Sequence, residues 1–218
     1  MSEVKPRRRY QSPRRTEQSA AIREAVLDAA EELFALHGYA GTSVKAVAVS
    51  ANVALKTVYL ACGNKRALLT ALIDRRIRGD EAAVPVVDRP WFRESLAETD
   101  PRHLLRLLAR NSRQVKGRAS AVLEVIRTAA PSDPEIGGLW QNMQKQFHGN
   151  QRLFVEQLQR IGGLRPDLDM DRATDIVWTL NHPDVYRLLV IDREWSPEDY
   201  ESWLADALAS QLLRPVGS

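Results

Sequence analysis

Three polar side chains stand close together in the segment Lys56-Thr57-Val58-Tyr59. If this segment is helical and Val58 faces inward, the lysine, the hydroxyl and the phenol lie on other faces, where an outside partner can reach them. A lysine can bind O6 and N7 of a guanine, and hydroxyl and ammonium groups near helix N-termini are suited to binding phosphates. These residue types therefore predict a surface that binds DNA.

Two short helices joined by a tight turn are predicted to hold these groups. In the first helix Val44, Val47 and Ala48 share one face, and either Thr42 or Ser43 can cap the N-terminus. A short helix with one apolar face packs that face on a core and leaves the other face outside.

The turn that follows falls at Ala51-Asn52-Val53. Asn52 is, after glycine, the residue type that best tolerates the left-handed backbone of a sharp turn. The second helix is predicted over residues 54–61, and Asn64 can cap a third helix whose first turn, Lys65-Arg66, is cationic. Cations there oppose the helix dipole, a cost that is explained if an anion binds nearby. The whole stretch predicts a helix-turn-helix.

The composition favours a helical protein without metal or membrane segments. The 218 residues, 44% of them hydrophobic, can bury a sizeable core in one or two domains. No run of about 20 apolar residues occurs, so we expect no membrane span. A single cysteine, Cys62, excludes an internal disulfide, and the four histidines lack metal-ligand spacing. We therefore expect a cytoplasmic, all-α protein with no metal and no cofactor.

Positive charge is concentrated at the N-terminal end. Residues 1–78 contain 14 Lys and Arg against 7 Asp and Glu, a net +7, whereas the remainder has 17 against 21, a net −4. Residues 1–19 are basic and lack apolar periodicity, so we expect a disordered arm. Such an arm, including Arg14 and Arg15, either follows phosphates or the minor groove of DNA, or only makes the protein soluble.

A longer helix is predicted to complete the N-terminal domain. Between Ala20 and His37 the apolar residues recur at helical spacing, and Gly38 is a candidate left-handed cap. This helix is expected to pack under the helix-turn-helix and form a three-helix domain over residues 20–79.

The region from about Ile22 to Leu72 resembles the N-terminal domain of the TetR family of bacterial transcriptional regulators. The segments that carry the resemblance are Leu33-Phe34-Ala35-Leu36-His37-Gly38-Tyr39, Gly41-Thr42-Ser43-Val44, Ala51-Asn52-Val53, Lys56-Thr57-Val58-Tyr59 and Asn64-Lys65-Arg66-Ala67-Leu68-Leu69. The family usually has glycine at Asn52, serine at Ala54 and an aromatic residue at Cys62. Alanine at position 54 removes the usual side-chain cap of the second helix, a loss of about 1 kcal/mol.

The resemblance implies which residues meet DNA. Phosphate contacts are expected at Thr42, Ser43, Thr57, Tyr59 and Lys65. Base contacts are expected from the exposed side of the recognition helix, at Ala54, Leu55 and Lys56, with Leu60 as a further candidate. The alternatives are that Lys56 is only a solvated lysine and that Tyr59 is a packing residue.

After Gly79 the sequence changes character, and a proline-punctuated segment, Val84–Pro90, precedes further helical patterns. We expect residues 80–218 to form a helical bundle that binds a ligand and dimerises. An effector pocket is predicted from aromatic and polar residues whose spacing also fits ordinary core: Trp140, Met143, Phe147, Trp178, Asn181, His182 and Tyr186. The resemblance further implies a homodimer through the last two helices, about 171–192 and 197–212.

The resulting hypothesis is a regulator, most simply a repressor, that binds operator DNA as a dimer and is released by a small apolar or amphipathic effector. The alternative is a helical protein that binds DNA without any effector, autonomously or as an architectural protein. An enzyme is not expected, because the sequence has no nucleophile elbow, phosphate loop or dinucleotide fingerprint.

Overall fold

The computed structural model describes residues 13–78 and 85–214, with side chains for 17–77 and 85–214. Most of these residues are helical and none lies in a strand, which confirms the predicted all-α class. The α-helices are α1 Pro13–Gly41, α2 Val44–Ser50, α3 Leu55–Cys62, α4 Lys65–Arg78, α5 Pro90–Ala97, α6 Pro101–Ala129, α7 Pro134–Arg160, α8 Met170–Leu180, α9 Pro183–Tyr186 and α10 Pro197–Leu212. A 3₁₀ turn, Val86–Asp88, precedes α5, and α9 continues as a π-helix, Arg187–Asp192.

The chain divides into two compact units, Met1–Ala71 and Leu72–Ser218. We call them the N-terminal and the C-terminal unit. The division falls inside α4, whereas the change in sequence character predicted a boundary after Gly79, in the connection that follows this helix. Because α4 continues from Lys65 to Arg78, the composition change identifies the end of a helix and not the limit of a packed unit.

In the N-terminal unit α1 supplies the base on which the other helices pack. Its buried face carries Val26, Ala30 and Phe34, as the apolar spacing predicts. The helix begins at Pro13, seven residues before the predicted start at Ala20. Near its end Gly38 has a φ of 67°, a conformation that glycine adopts without a steric penalty.

The turn between α2 and α3 adopts the predicted geometry. Asn52 has a φ of 53°, and α2 and α3 are bent by 104° relative to each other. Ser43 caps α2, because its Oγ accepts a hydrogen bond from the Ala46 backbone N–H at 3.0 Å. Asn64 Oδ1 likewise accepts from the Ala67 N–H at 2.9 Å and caps α4. Local capping chemistry thus fixes where the short helices begin.

In the described ranges no single helix is long and apolar enough to cross a membrane. Helices α2 and α3 taken together have the required length and composition, but they are bent relative to each other.

The start of α3 offers a direct test of capping. Its N-cap residue, Ala54, makes no side-chain hydrogen bond to the helix. We expect Ala54→Ser to raise the free energy of unfolding by about 1 kcal/mol, because a serine oxygen can accept from an unsatisfied backbone N–H. Urea unfolding followed by circular dichroism measures the change.

Ser43→Ala is the matched control for this capping experiment, since it removes an existing cap from α2. It should lower stability by about the same amount. An Ala54→Ser variant that is no more stable than the wild type would show that a side-chain cap at the N-terminus of α3 does not stabilise the protein.

The C-terminal unit is built on α6, α7, α8 and α10. Its core contains Leu104, Phe154, Val177 and Leu204, which are almost completely buried. Most of the helices begin with a side-chain cap: Asp100, Asp133, Asp169 and Ser196 accept hydrogen bonds from backbone N–H groups of α6, α7, α8 and α10 respectively. Proline follows the cap in α6, α7 and α10, which is favourable because the first helical position needs no N–H donor.

Candidate nucleic-acid interface and ligand cavity

Helix α3 has an inner and an outer face. Val58 is completely buried and holds the helix on the N-terminal unit, whereas Leu55, Tyr59 and Leu60 are 41%, 51% and 79% exposed. Lys56 is also exposed, and Thr57 is half-buried. An exposed set of a cation, a phenol and aliphatic side chains can contact phosphates, base edges and thymine methyl groups. The three predicted base-contact residues, Ala54, Leu55 and Lys56, are therefore all exposed.

Thr42 occupies a different position from the one predicted. Its side chain is buried, with 3% exposure, and its hydroxyl donates to the carbonyl oxygens of Leu33 and Gly38, both at 2.9 Å. The prediction of a phosphate contact by this hydroxyl is therefore corrected, because the group already satisfies the end of α1. The neighbouring Ser43 is exposed at the start of α2.

Lys65 lies at the start of α4 and is partly buried. Its Nζ is 4.3 Å from the centroid of the Tyr39 ring, a cation–π contact. Tyr39 in turn stacks on Phe34 of α1, with ring centroids 5.8 Å apart. This packing fixes the lysine stem and its charge beside the first turn of α4.

Arg23 of α1 anchors the other end of α3, and sequence reasoning missed it. Its guanidinium donates to the Ala61 carbonyl at 2.6 Å and lies 3.6 Å from Cys62 Sγ. A cation is favourable there, because the last carbonyls of a helix are unsatisfied and carry the negative end of the dipole. Cys62 is buried, and burial raises the pKa of its thiol above the ordinary value, which disfavours the reactive thiolate.

The predicted arm contacts cannot be located in the same way. Arg14 and Arg15 lie in the first turn of α1, but their side chains fall outside the described residues, as do residues 1–12.

The C-terminal unit contains a cavity of about 180 Å³. Its apolar wall comes from α5, α6 and α7 and includes Trp91, Phe92, Leu108, Trp140, Phe147 and Phe154. Polar side chains are grouped on the remaining part of the wall: Asn111, Ser112, Lys116, Gln151 and Asn181. A mostly apolar cavity with a few convergent polar groups is typical of a small-molecule site.

Lys116 is the centre of the polar group. It is only 5% exposed, and four oxygens surround its Nζ: Asn181 O at 2.6 Å, Asn181 Oδ1 at 2.6 Å, Ser112 Oγ at 2.7 Å and Tyr200 OH at 2.8 Å. The Ser112 hydroxyl also donates to Asn181 Oδ1, and Asn181 Nδ2 donates to Gln151 Oε1 at 3.0 Å. Burial lowers the pKa of Lys116 well below its ordinary value.

Residues 26–72 match the sequence model of the family described as bacterial regulatory proteins, tetR family. This range contains the buried face of α1, the α2–α3 pair and the start of α4. Residues 26–72 therefore form an N-terminal domain of the tetR family. No curated protein sequence matched the chain.

Solved structures of other regulators share the fold along most of the chain. The complex of SmeT with triclosan has a TM-score of 0.70 and 17% identity, covering 90% of this chain and 93% of that one. SmeT is the repressor of a Stenotrophomonas maltophilia multidrug efflux pump. NalD of Pseudomonas aeruginosa, the secondary repressor of another efflux pump, has a TM-score of 0.65 and 21% identity, covering 90% and 98%. A Saccharomonospora viridis regulator in complex with choline has a TM-score of 0.64 and 17% identity, covering 90% and 100%. At these identities the likeness establishes a common fold.

Four of the seven residues predicted for an effector site line the cavity: Trp140, Met143, Phe147 and Asn181. His182 lies outside the lining and caps α9, because its Nδ1 accepts from the Asp184 N–H at 3.2 Å. Its Nε2 lies 3.1 Å from Gln144 Oε1, and the Trp178 ring packs on it with centroids 5.0 Å apart.

Tyr186 also lies outside the cavity lining. It is buried and packs edge-to-face on Tyr200, with ring centroids 4.9 Å apart. Sequence reasoning missed Lys116, Asn111 and Gln151, because polar residues inside a helical pattern give no signal that they face inward.

Proposed function

We propose that the chain is a homodimeric repressor that binds operator DNA through α3 and releases it when a small apolar or amphipathic effector occupies the cavity of the C-terminal unit. The observation that carries the proposal is the exposed face of α3, with Lys56 and Tyr59 outward and Val58 buried beneath them. The basic balance of residues 1–78, a net +7, supports a polyanionic partner.

Exposed apolar side chains support a dimer through the predicted segments. Leu188, Ile191 and Trp195 are 48%, 55% and 37% exposed in and just after the π-helix that continues α9. Trp195 packs on Trp203 of α10, with ring centroids 6.3 Å apart. Clustered exposed apolar groups of this kind mark interaction surfaces, and a two-fold dimer uses one such patch twice.

The cavity supports an effector over the alternative of effector-independent DNA binding. Structures with the same fold hold triclosan and choline. A two-fold dimer presents its two α3 helices to two half-sites on one face of DNA. A ligand that prefers a dimer with another spacing between these helices weakens DNA binding, by no more than its differential affinity for the two states.

Fluorescence anisotropy with labelled DNA tests the DNA-binding proposal. The probe is DNA from the region upstream of the protein's own coding sequence, compared with a scrambled duplex across a salt series. We expect tight binding to the first duplex only, with an affinity that falls steeply with salt as phosphate contacts release counterions. Lys56→Ala should reduce the preference between the two duplexes, whereas Tyr59→Phe should weaken binding to both.

Lys145→Ala is the control for these variants, since Lys145 is exposed on α7 in the other unit. It should leave both affinities unchanged. Equal and weak binding to the two duplexes by the wild type, with no response to Lys56→Ala or Tyr59→Phe, would contradict a role for α3 in recognising this DNA.

A further inference from the structure

Lys116 is the one ionisable side chain among the described residues that line the cavity. The four oxygens around its Nζ belong to a hydroxyl, a phenol, an amide side chain and a backbone carbonyl, and all of them are neutral. In the part of the chain that the structure describes, Lys116 makes no ion pair with a carboxylate. The cavity wall therefore contains an amine without a counter-charge, and an anion bound beside it would favour its protonated form.

Four carboxylates of neighbouring elements, Glu124, Asp184, Glu198 and Glu201, are paired with arginines. Glu201 Oε2 lies 2.5 Å from Arg113 Nε, and Glu198 lies 3.1 Å from the same guanidinium. Arg127 holds Glu124 at 2.6 Å and lies 3.8 Å from Asp184. Each of these four carboxylates therefore already has an arginine partner. Since no described carboxylate pairs with Lys116, a bound ligand can supply the counter-charge.

Charge and hydrogen bonding together select the head group of a ligand. An ammonium group in an apolar setting is costly unless an anion is paired with it. Its three N–H donors face four acceptor oxygens, so one of these oxygens can be exchanged for a ligand oxygen without the loss of a hydrogen bond. A carboxylate oxygen supplies both the acceptor and the missing charge, a neutral amide only the acceptor, and a cationic head is repelled.

The rest of the wall selects the body of the ligand. Opposite the polar group the lining is aromatic and aliphatic, with Trp91, Phe92, Phe147 and Phe154 among its members. A cavity of about 150 Å³ with an apolar lining accepts benzene, and this cavity of about 180 Å³ has room for one substituted ring or a short alkyl chain.

We propose that the effector of this chain is a carboxylate on a small apolar body, and that Lys116 binds the carboxylate while the aromatic wall covers the body. This inference rests on the proposed function, because it takes the cavity as the effector site. It narrows the effector class from any apolar or amphipathic molecule to organic monoanions.

Matched head groups on one body test the inference in the full-length protein. Isothermal titration calorimetry would compare 4-ethylbenzoate, 4-ethylbenzamide and 4-ethylbenzylammonium, with hexanoate and hexanamide as the alkyl counterparts. We expect the carboxylates to bind about tenfold tighter or more than the amides, the difference that a charge-assisted hydrogen bond adds, and the ammonium compound to bind most weakly. The ring and chain series identify which body the wall prefers.

The Lys116→Met variant tests the role of the ammonium group, because methionine has a similar length and fills similar space without that group. We expect it to remove the preference for the carboxylate while the amide still binds. Lys145→Met on α7, an exposed lysine, should leave the preference intact. If Lys116→Met fails to fold by circular dichroism, the head-group comparison on the wild type still decides. Equal binding of carboxylate and amide, or tighter binding of the amide, overturns the inference.

Operator release distinguishes a failure of this inference from a failure of the proposed function. If amides bind in the cavity and release operator DNA as well as the carboxylates do, the effector model stands and the selection by Lys116 is wrong. If ligands of every head group bind without changing DNA affinity, or none binds at all, the cavity is not an effector site and both proposals fail.

Discussion

Replacing Phe154 by alanine is expected to lower the free energy of unfolding by about 3–5 kcal/mol. Phe154 lies on α7 at 2% exposure and packs edge-to-face on Phe92 of α5, with ring centroids 5.1 Å apart. The loss combines the transfer free energy of the ring, the aromatic contact and the void that neighbouring side chains fill only in part. Urea unfolding at a fixed protein concentration measures the change, since the stability of the proposed dimer would depend on concentration.

Leu36→Ala is the matched truncation at the surface, because Leu36 on α1 is 75% exposed. It should change stability by less than about 0.5 kcal/mol. Phe154→Leu, which keeps most of the volume, should fall between the two. A loss below about 1 kcal/mol for Phe154→Ala would mean that α5 and α7 collapse around the site, and that the cavity wall adapts to its contents.

The helix-turn-helix was predictable because its determinants are local. Asn52 was predicted in a left-handed conformation from residue type alone, and its φ of 53° confirms this. Ser43 and Asn64 cap the helices that follow them, as their positions before apolar runs suggest. Thr42 shows the limit of such reasoning: a hydroxyl at a helix start is suited to an anion, yet here it faces the carbonyls of Leu33 and Gly38.

The cavity could not be predicted in the same way, because it is formed by contacts between residues far apart in sequence. Lys116 and Asn181 are 65 positions apart, and their contact depends on how α6 packs against the end of α8. Helix α5 was not predicted, although Trp91 and Phe92 form part of the wall. A lysine in a helical pattern is ordinarily read as a solvated side chain, so the sequence contains no mark of its burial.

Ile191→Asp is expected to convert the proposed dimer into monomers and to weaken operator binding by about 100-fold or more. Ile191 is 55% exposed within the π-helix Arg187–Asp192. At a two-fold interface a single substitution introduces two carboxylates into an apolar contact, and burying them without partners is costly. Light scattering after size-exclusion chromatography measures the mass, and fluorescence anisotropy with the upstream duplex measures the affinity.

The affinity should fall because a monomer reaches only one half-site, so the second contact no longer benefits from a high effective concentration. Leu36→Asp, the same type of change at an exposed position on α1, should leave the mass of the dimer unchanged. If Ile191→Asp also remains dimeric, the contact between protomers uses another surface, and the exposed Leu188, Ile191 and Trp195 require a different partner. A monomeric variant that still binds the operator as tightly as the wild type would instead show that one helix-turn-helix is sufficient for recognition, and the symmetry argument for effector release would fail with it.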